Sequence, residues 1–130
     1  MPDYVVSKVM LALNEHGKTV KGAKILICGL AYKANVDDER ESPSYRLMDK
    51  LEELGAQVSY NDSYIPVIRP TREYARFAGR KSEEVSGDFD LLLVATAHNE
   101  YAKIDFSTFG IPVVDTRNVV PKSCENLYPA

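Results

Sequence analysis

The chain of 130 residues has little cysteine, no long apolar run and no surplus of positive charge. Each shortage excludes a class of protein. Its two cysteines, Cys28 and Cys124, belong to no CxxC pair and to no Cys/His spacing that makes a zinc site. At this length a core forms without disulfide or metal staples. Cys28 lies within KILICGL, an apolar run that reads as a buried strand, where thiols are inert. The longest apolar stretches, Ile25 to Ala31 and Leu91 to Ala95, fall far short of the roughly 20 residues a membrane helix needs. Sixteen Lys and Arg against 19 Asp and Glu give a net charge of −3, which supplies no broad cationic surface for a nucleic-acid backbone. The start, MPDYVVSKVM, lacks the basic flank, apolar core and cleavage site of a secretory signal, so a cytoplasmic location is expected. What remains, 45% hydrophobic and 27% charged residues, is the composition of an ordinary folded domain. Most enzymes that hold both a cofactor and a substrate use more chain than this, so one module of a larger machine is expected.

Strands and helices alternate. From Tyr4 to His16 apolar residues recur at Val5, Val6, Val9, Met10 and Leu13, a helical stripe closed by Gly17. Nothing precedes this helix for the stripe to pack on, and the stripe is expected to be exposed or paired with another chain. Lys24 to Cys28 reads as a central parallel strand. A polar loop, Ala31 to Glu41, then leads to Ser42-Pro43, an N-cap followed by a first-turn proline, and a helix runs to Gly55. Gln57 to Tyr60, Asp90 to Ala95 and Pro112 to Asp115 read as further strands, with a helical turn or two between Asn99 and Phe109. Ser63 to Ser86, broken by Pro66, Pro70 and Gly79, is expected to be mostly loop with a short helix or hairpin, and Asn118 to Ala130 a terminal extension. The pattern implies an α/β three-layer, Rossmann-like domain with a mainly parallel sheet. Ligands of such sheets bind beyond the carboxyl ends of the strands. Four polar segments meet there: Gly29 to Lys33, Asn61 to Tyr64, Thr96 to Asn99 and Asp115 to Asn118.

The first of these loops, GLAYKANVDDERESP, lacks both GxGxxG and the GK[ST] ending of a phosphate-binding loop, which argues against an independent dinucleotide site. Lys33 offers a point charge for an anion such as a diphosphate, although a lone loop lysine is more often solvated surface. Tyr32 beside it suits either stacking on a ligand or packing. Asp37, Asp38, Glu39 and Glu41 surround Arg40, but no dedicated metal-ligand spacing exists, and a solvated acidic loop is the simpler reading. His98 just after the third strand is either an acid/base or a histidine fixing backbone; no nucleophile marks a triad with it. Arg117 follows the fourth strand on the same edge as Lys33. One anion between the two cations would explain both, the competing reading being an Asp115–Arg117 ion pair.

At MPDYVVSKV, KGAKILICGLAYKANVDDERESP, YNDSYIP, LLLVATAHNEY and VVDTRN, in that order and spacing, the chain resembles the C-terminal domain of the UDP-glucose/GDP-mannose dehydrogenase family. The likeness covers roughly Met1 to Val120 and is strongest to the bacterial UDP-N-acetylhexosamine dehydrogenases, with the UDP-glucose branch next. The resemblance implies oxidation of a sugar C6 alcohol to a carboxylate by NAD, through a cysteine of a central domain, with the dinucleotide motif in an N-terminal domain. Cys28 and Cys124 do not match the catalytic cysteine, so the chain by itself is expected to be inactive and to bind no NAD. The resemblance also implies that Tyr32 and Lys33 match an aromatic–Lys pair contacting the nucleotide-sugar, and that Arg117 matches the arginine approaching it. Arg40, Glu41 and Ser42 match a structural block. Ser63 departs from the proline that many members carry there. Residues 1–20 resemble the end of a helix connecting to the central domain, 21–120 the UDP-sugar-binding domain and 121–130 a tail.

The expected partners are a UDP-sugar, the N-terminal and central domains of the same enzyme, and a possible second copy of the chain. Neither nucleic acid nor membrane is expected. Two other readings remain open at this point. One is a docking or oligomerisation module, supported by the stripe on the first helix. The weaker one is a metal-dependent phosphotransfer domain using Asp37 and Asp38.

Overall fold

A computed structural model describes residues 2–30, 43–69, 77–121 and 124–130. Helix α1 (Pro2–Glu15) is followed by β1 (Lys24–Cys28), α2 (Pro43–Glu53) and β2 (Gln57–Asn61). After a long excursion come β3 (Leu91–Val94), the single-turn α3 (Asn99–Ala102), a 3-10 turn (Phe106–Phe109), β4 (Val113–Asp115) and β5 (Leu127–Pro129). All five strands lie parallel in the order β2-β1-β3-β4-β5. A parallel sheet needs cover on both faces. Alternation along β1 provides for it, sending Ile25 and Ile27 toward α1 and α2, and Leu26 and Cys28 toward Tyr101, Phe106 and Val120.

Two expectations are corrected. Most of the apolar stripe of α1 is not exposed: Val6, Val9 and Leu13 are buried against α2 and the sheet together with Ala12, and of the stripe only Met10 stays exposed. The crossing of α2 beside α1 supplies the surface that the linear sequence does not show, and Lys50 of α2 ties to Asp3 at 2.8 Å. The second correction concerns the last residues, read as an extension. Leu127–Pro129 instead add the fifth strand, Val113 pairing with Leu127 and Asp115 with Pro129. Three residues ending in proline carry almost no strand signal of their own; the hydrogen bonds come from the already formed edge of β4.

The excursion between β2 and β3 closes partly as a hairpin. Val67 bridges Lys81 antiparallel, and Glu83 N–H donates to Tyr60 O at 2.8 Å along the edge of β2. The start of α2 at Pro43 agrees with the sequence, while its cap residue Ser42 lies outside the described residues.

Cys28 is fully buried, and burial pushes its thiol far above the ordinary range. Native protein is therefore expected to take up a maleimide or disulfide reagent at the half-buried Cys124 alone, with Cys28 reacting only after denaturant is added. Mass spectrometry of the labelled peptides checks this.

Candidate nucleotide-binding edge

The strand order reverses between β1 and β3, so the crevice of this sheet lies beyond Cys28 and Val94. Gly29 occupies its floor at φ +102°, a backbone conformation that side chains rarely adopt. A Cβ there would lie 2.4 Å from Thr96 Cβ and 2.8 Å from Thr96 N. The glycine thus serves the close approach of β1 to the end of β3. Its N–H donates to Asn61 O at 2.8 Å, and Leu30 N–H donates to Asp62 Oδ2 at 2.7 Å. In a dinucleotide fold the corresponding glycines open space for a pyrophosphate and point free amides at it. Here Thr96 fills the space and both amides are committed, so these residues do not fit NAD.

Arg117 stands on the loop after β4, exposed, with Nε donating to Ala95 O at 3.1 Å. That bond ties the side chain to the end of β3. The other four N–H donors, on the two terminal nitrogens, have no partner among the described residues. The loop itself is wound around Asp115, buried to 4% exposure, whose carboxylate accepts from Arg117 N (2.9 Å), Val119 N and Val120 N (both 2.8 Å). This settles the competing reading: Asp115 grips backbone amides, and no Asp115–Arg117 side-chain ion pair forms among the described residues. It also means that the amides of Arg117, Val119 and Val120 are already occupied by the carboxylate. A cleft of about 450 Å³ adjoins Arg117, lined also by Leu127 and Pro129 of the unforeseen fifth strand and by Ala130 after it.

His98 makes no side-chain cap for α3; its Nε2 lies 2.9 Å from Asp62 Oδ2, and both side chains are fully buried. Asp62 went unremarked in the sequence beyond marking a strand end, although an acidic residue directly after an apolar strand was the available signal. Tyr32 and Lys33 lie outside the described residues, as do Asp37, Asp38, Glu39, Arg40, Glu41 and Ser42. Among the described residues no group of three or more His, Cys, Asp or Glu side chains forms a metal site, and no helix is long and apolar enough to cross a membrane.

Fold and site together define a doubly wound α/β domain with a cation at the carboxyl edge of its sheet, the architecture of nucleotide-binding modules of dehydrogenases. Residues 26–122 match the UDP binding domain of the UDP-glucose/GDP-mannose dehydrogenase family, and the chain belongs to that family. It is 34% identical over 112 residues to a UDP-glucose 6-dehydrogenase of Rhizobium meliloti, covering 82% of this chain and 25% of that protein. To a UDP-N-acetyl-D-mannosamine dehydrogenase of Methanococcus maripaludis it is 38% identical over 104 residues, covering 80% of this chain and 22% of that one. Among solved structures, a UDP-glucose dehydrogenase from Pyrobaculum islandicum superposes with a TM-score of 0.67 at 27% identity, covering 98% of this chain and 29% of that one. An NDP-N-acetyl-D-galactosaminuronic acid dehydrogenase from Methanosarcina mazei shares the fold with a TM-score of 0.80 at 22% identity, covering 99% and 28%. The chain spans about a quarter of the length of the curated relatives it matches.

Proposed function

We propose that this chain is the UDP-sugar-binding part of an NAD-dependent nucleotide-sugar 6-dehydrogenase, acting on UDP-N-acetylglucosamine, UDP-N-acetylmannosamine or UDP-glucose, and that by itself it is inactive. The observation that carries the reading is the anchored guanidinium of Arg117 beside its cleft. A diphosphate takes charge-assisted, often bidentate, hydrogen bonds from such a group. Tyr32 and Lys33, two and three positions beyond Leu30, are assigned to the same ligand by their match to the family's aromatic–Lys pair. NAD would supply hydride acceptance in the whole enzyme and be held by a domain outside this chain, a reading that the filled turn at Gly29 supports.

The test is NMR titration of isotopically labelled chain with UDP, UDP-glucose and UDP-N-acetylglucosamine. Shifts are expected at the Arg117 side chain and around Leu30 to Lys33. Replacing Arg117 by Met, which keeps the stem and removes the fork, is expected to weaken UDP binding by about 10- to 100-fold. Shifts confined to regions remote from Arg117, or an unaltered affinity in the variant, would count against the assignment.

A second reading, docking onto another domain or a second copy, cannot rest on Val6, Val9 and Leu13, which are buried. It rests on the outer face of the helix, where Tyr4, Met10 and Leu11 are each 45–50% exposed. Light scattering of a Leu11→Glu variant against wild type distinguishes it, because this side chain lies outside the core.

A further inference from the structure

The buried Asp62–His98 pair is not explained by ligand contact, since neither side chain reaches solvent. Nor is it an obvious source of stability: apolar residues of similar volume often hold a core as well as a buried ionisable pair does. Its connections suggest another role. One carboxylate joins the ends of three strands. Oδ2 accepts from Leu30 N, just beyond β1, and contacts His98 Nε2, beyond β3; Oδ1 accepts from Tyr64 N, in the turn after β2. Asp62 N–H in turn donates to Ser82 Oγ at 2.9 Å. The imidazole lies between two tyrosine rings, with centroids at 4.8 Å for Tyr64 and 5.6 Å for Tyr101. The hydroxyl of Tyr101 donates to Asn61 O at 2.7 Å, returning to the end of β2. Three of the segments that form the ligand-facing edge therefore share one anchoring group, and the fourth is wound separately on Asp115.

We propose that Asp62 and His98 are positioning residues for nucleotide-sugar binding: they hold the ends of β1, β2 and β3 in one arrangement without touching the ligand. The inference rests on the binding role proposed above and adds the residues that preorganise it. A site held by such a supporting shell loses affinity when the shell loosens, even where the fold survives.

Asparagine at position 62 has one acceptor oxygen where Asp62 uses two, so either Leu30 or Tyr64 loses its partner. In UDP titrations followed by NMR, Asp62→Asn is expected to bind about tenfold more weakly than wild type. Hydrogen exchange at Leu30 or Tyr64 should accelerate while the strand amides of β1 and β3 keep wild-type protection. His98→Ala is expected to weaken binding in the same direction, and His98→Gln, which restores an N–H donor to the carboxylate, to recover most of it. If Asp62→Asn does not fold, the two His98 variants carry the test. Wild-type affinity in folded Asp62→Asn and His98→Ala overturns the positioning role alone. A wild-type chain that shows no UDP-induced shifts overturns the binding role itself, and with it this inference. A loss in His98→Ala that Gln does not recover also overturns it, because a packing defect rather than the lost donor would then be responsible.

Discussion

Replacing Gly29 by alanine is expected to destabilise the protein by roughly 3–5 kcal/mol, combining backbone strain at a positive φ with overpacking. Most of a small domain's stability would be lost, and a urea or thermal denaturation curve reads the change. The added methyl would meet Thr96 Cβ at 2.4 Å, Thr96 Oγ1 at 2.7 Å and Thr96 N at 2.8 Å, distances at which something must move. Thr96 cannot simply turn away, because one of the three atoms is its backbone nitrogen and that nitrogen donates to Cys28 O at 3.3 Å. Truncating the threonine is therefore expected not to rescue the variant: Thr96→Gly in the Gly29→Ala background should remain far less stable than wild type. Rescue to near wild-type stability would show that the backbone contact is unimportant. Ser44 Oγ donates to Gly29 O at 2.8 Å, so displacement here also reaches the start of α2.

Val9→Glu is the second large effect. Were the α1 stripe a surface for a second chain, this substitution would separate dimers and leave a folded monomer. Val9 is fully buried in the core that α1 shares with α2 and the sheet, so the expected result is unfolding. Placing a carboxylate there costs about 4 kcal/mol or more at neutral pH, through either the buried charge or the proton needed to neutralise it. The sign of the pH dependence follows. A buried glutamate has its pKa raised in the folded state, so the folded form binds the proton more tightly and the deficit narrows as pH falls toward the ordinary carboxylate range. Circular dichroism melts at several pH values check both the loss and its direction. A variant that melts like wild type would contradict the packing of α1.

The contrast between these two positions shows how far local pattern reached. β1 was legible to the residue, Lys24–Cys28, because an unbroken run of apolar residues between glycines has few other uses. The helix beginning at Pro43 was equally legible, since a proline in the first turn is a local signal. The stripe on α1 was legible as a stripe, but its destination was not: which surface covers Val9 is a question about a neighbour 40 residues away. β5 was missed for the same reason. Nothing within Leu127–Pro129 demands a strand, and its partner is the exposed edge of β4.

At the site, the residue types were readable and their relations were not. Arg117 could be placed on the carboxyl edge from sequence, yet its bond to Ala95 O joins two strand ends 22 positions apart. Asp115 was visible as a neighbouring opposite charge and suggested an ion pair; the fold uses its carboxylate to gather three loop amides instead. His98 was legible as a polar residue after a strand, but its contact with Asp62, 36 positions earlier at the end of another strand, was not. The alternation of strands and helices, the parallel sheet, the family and the residue types at the carboxyl edge of the sheet could be read along the chain, because hydrophobic periodicity, turn residues and motif spacing are local. Only the tertiary structure decided that α1 belongs to the core, that the tail completes the sheet and the cleft, and that one buried carboxylate anchors three strand ends. Those outcomes depend on which groups meet across the strand order, and hydrogen bonds and packing are made between neighbours in space rather than along the chain.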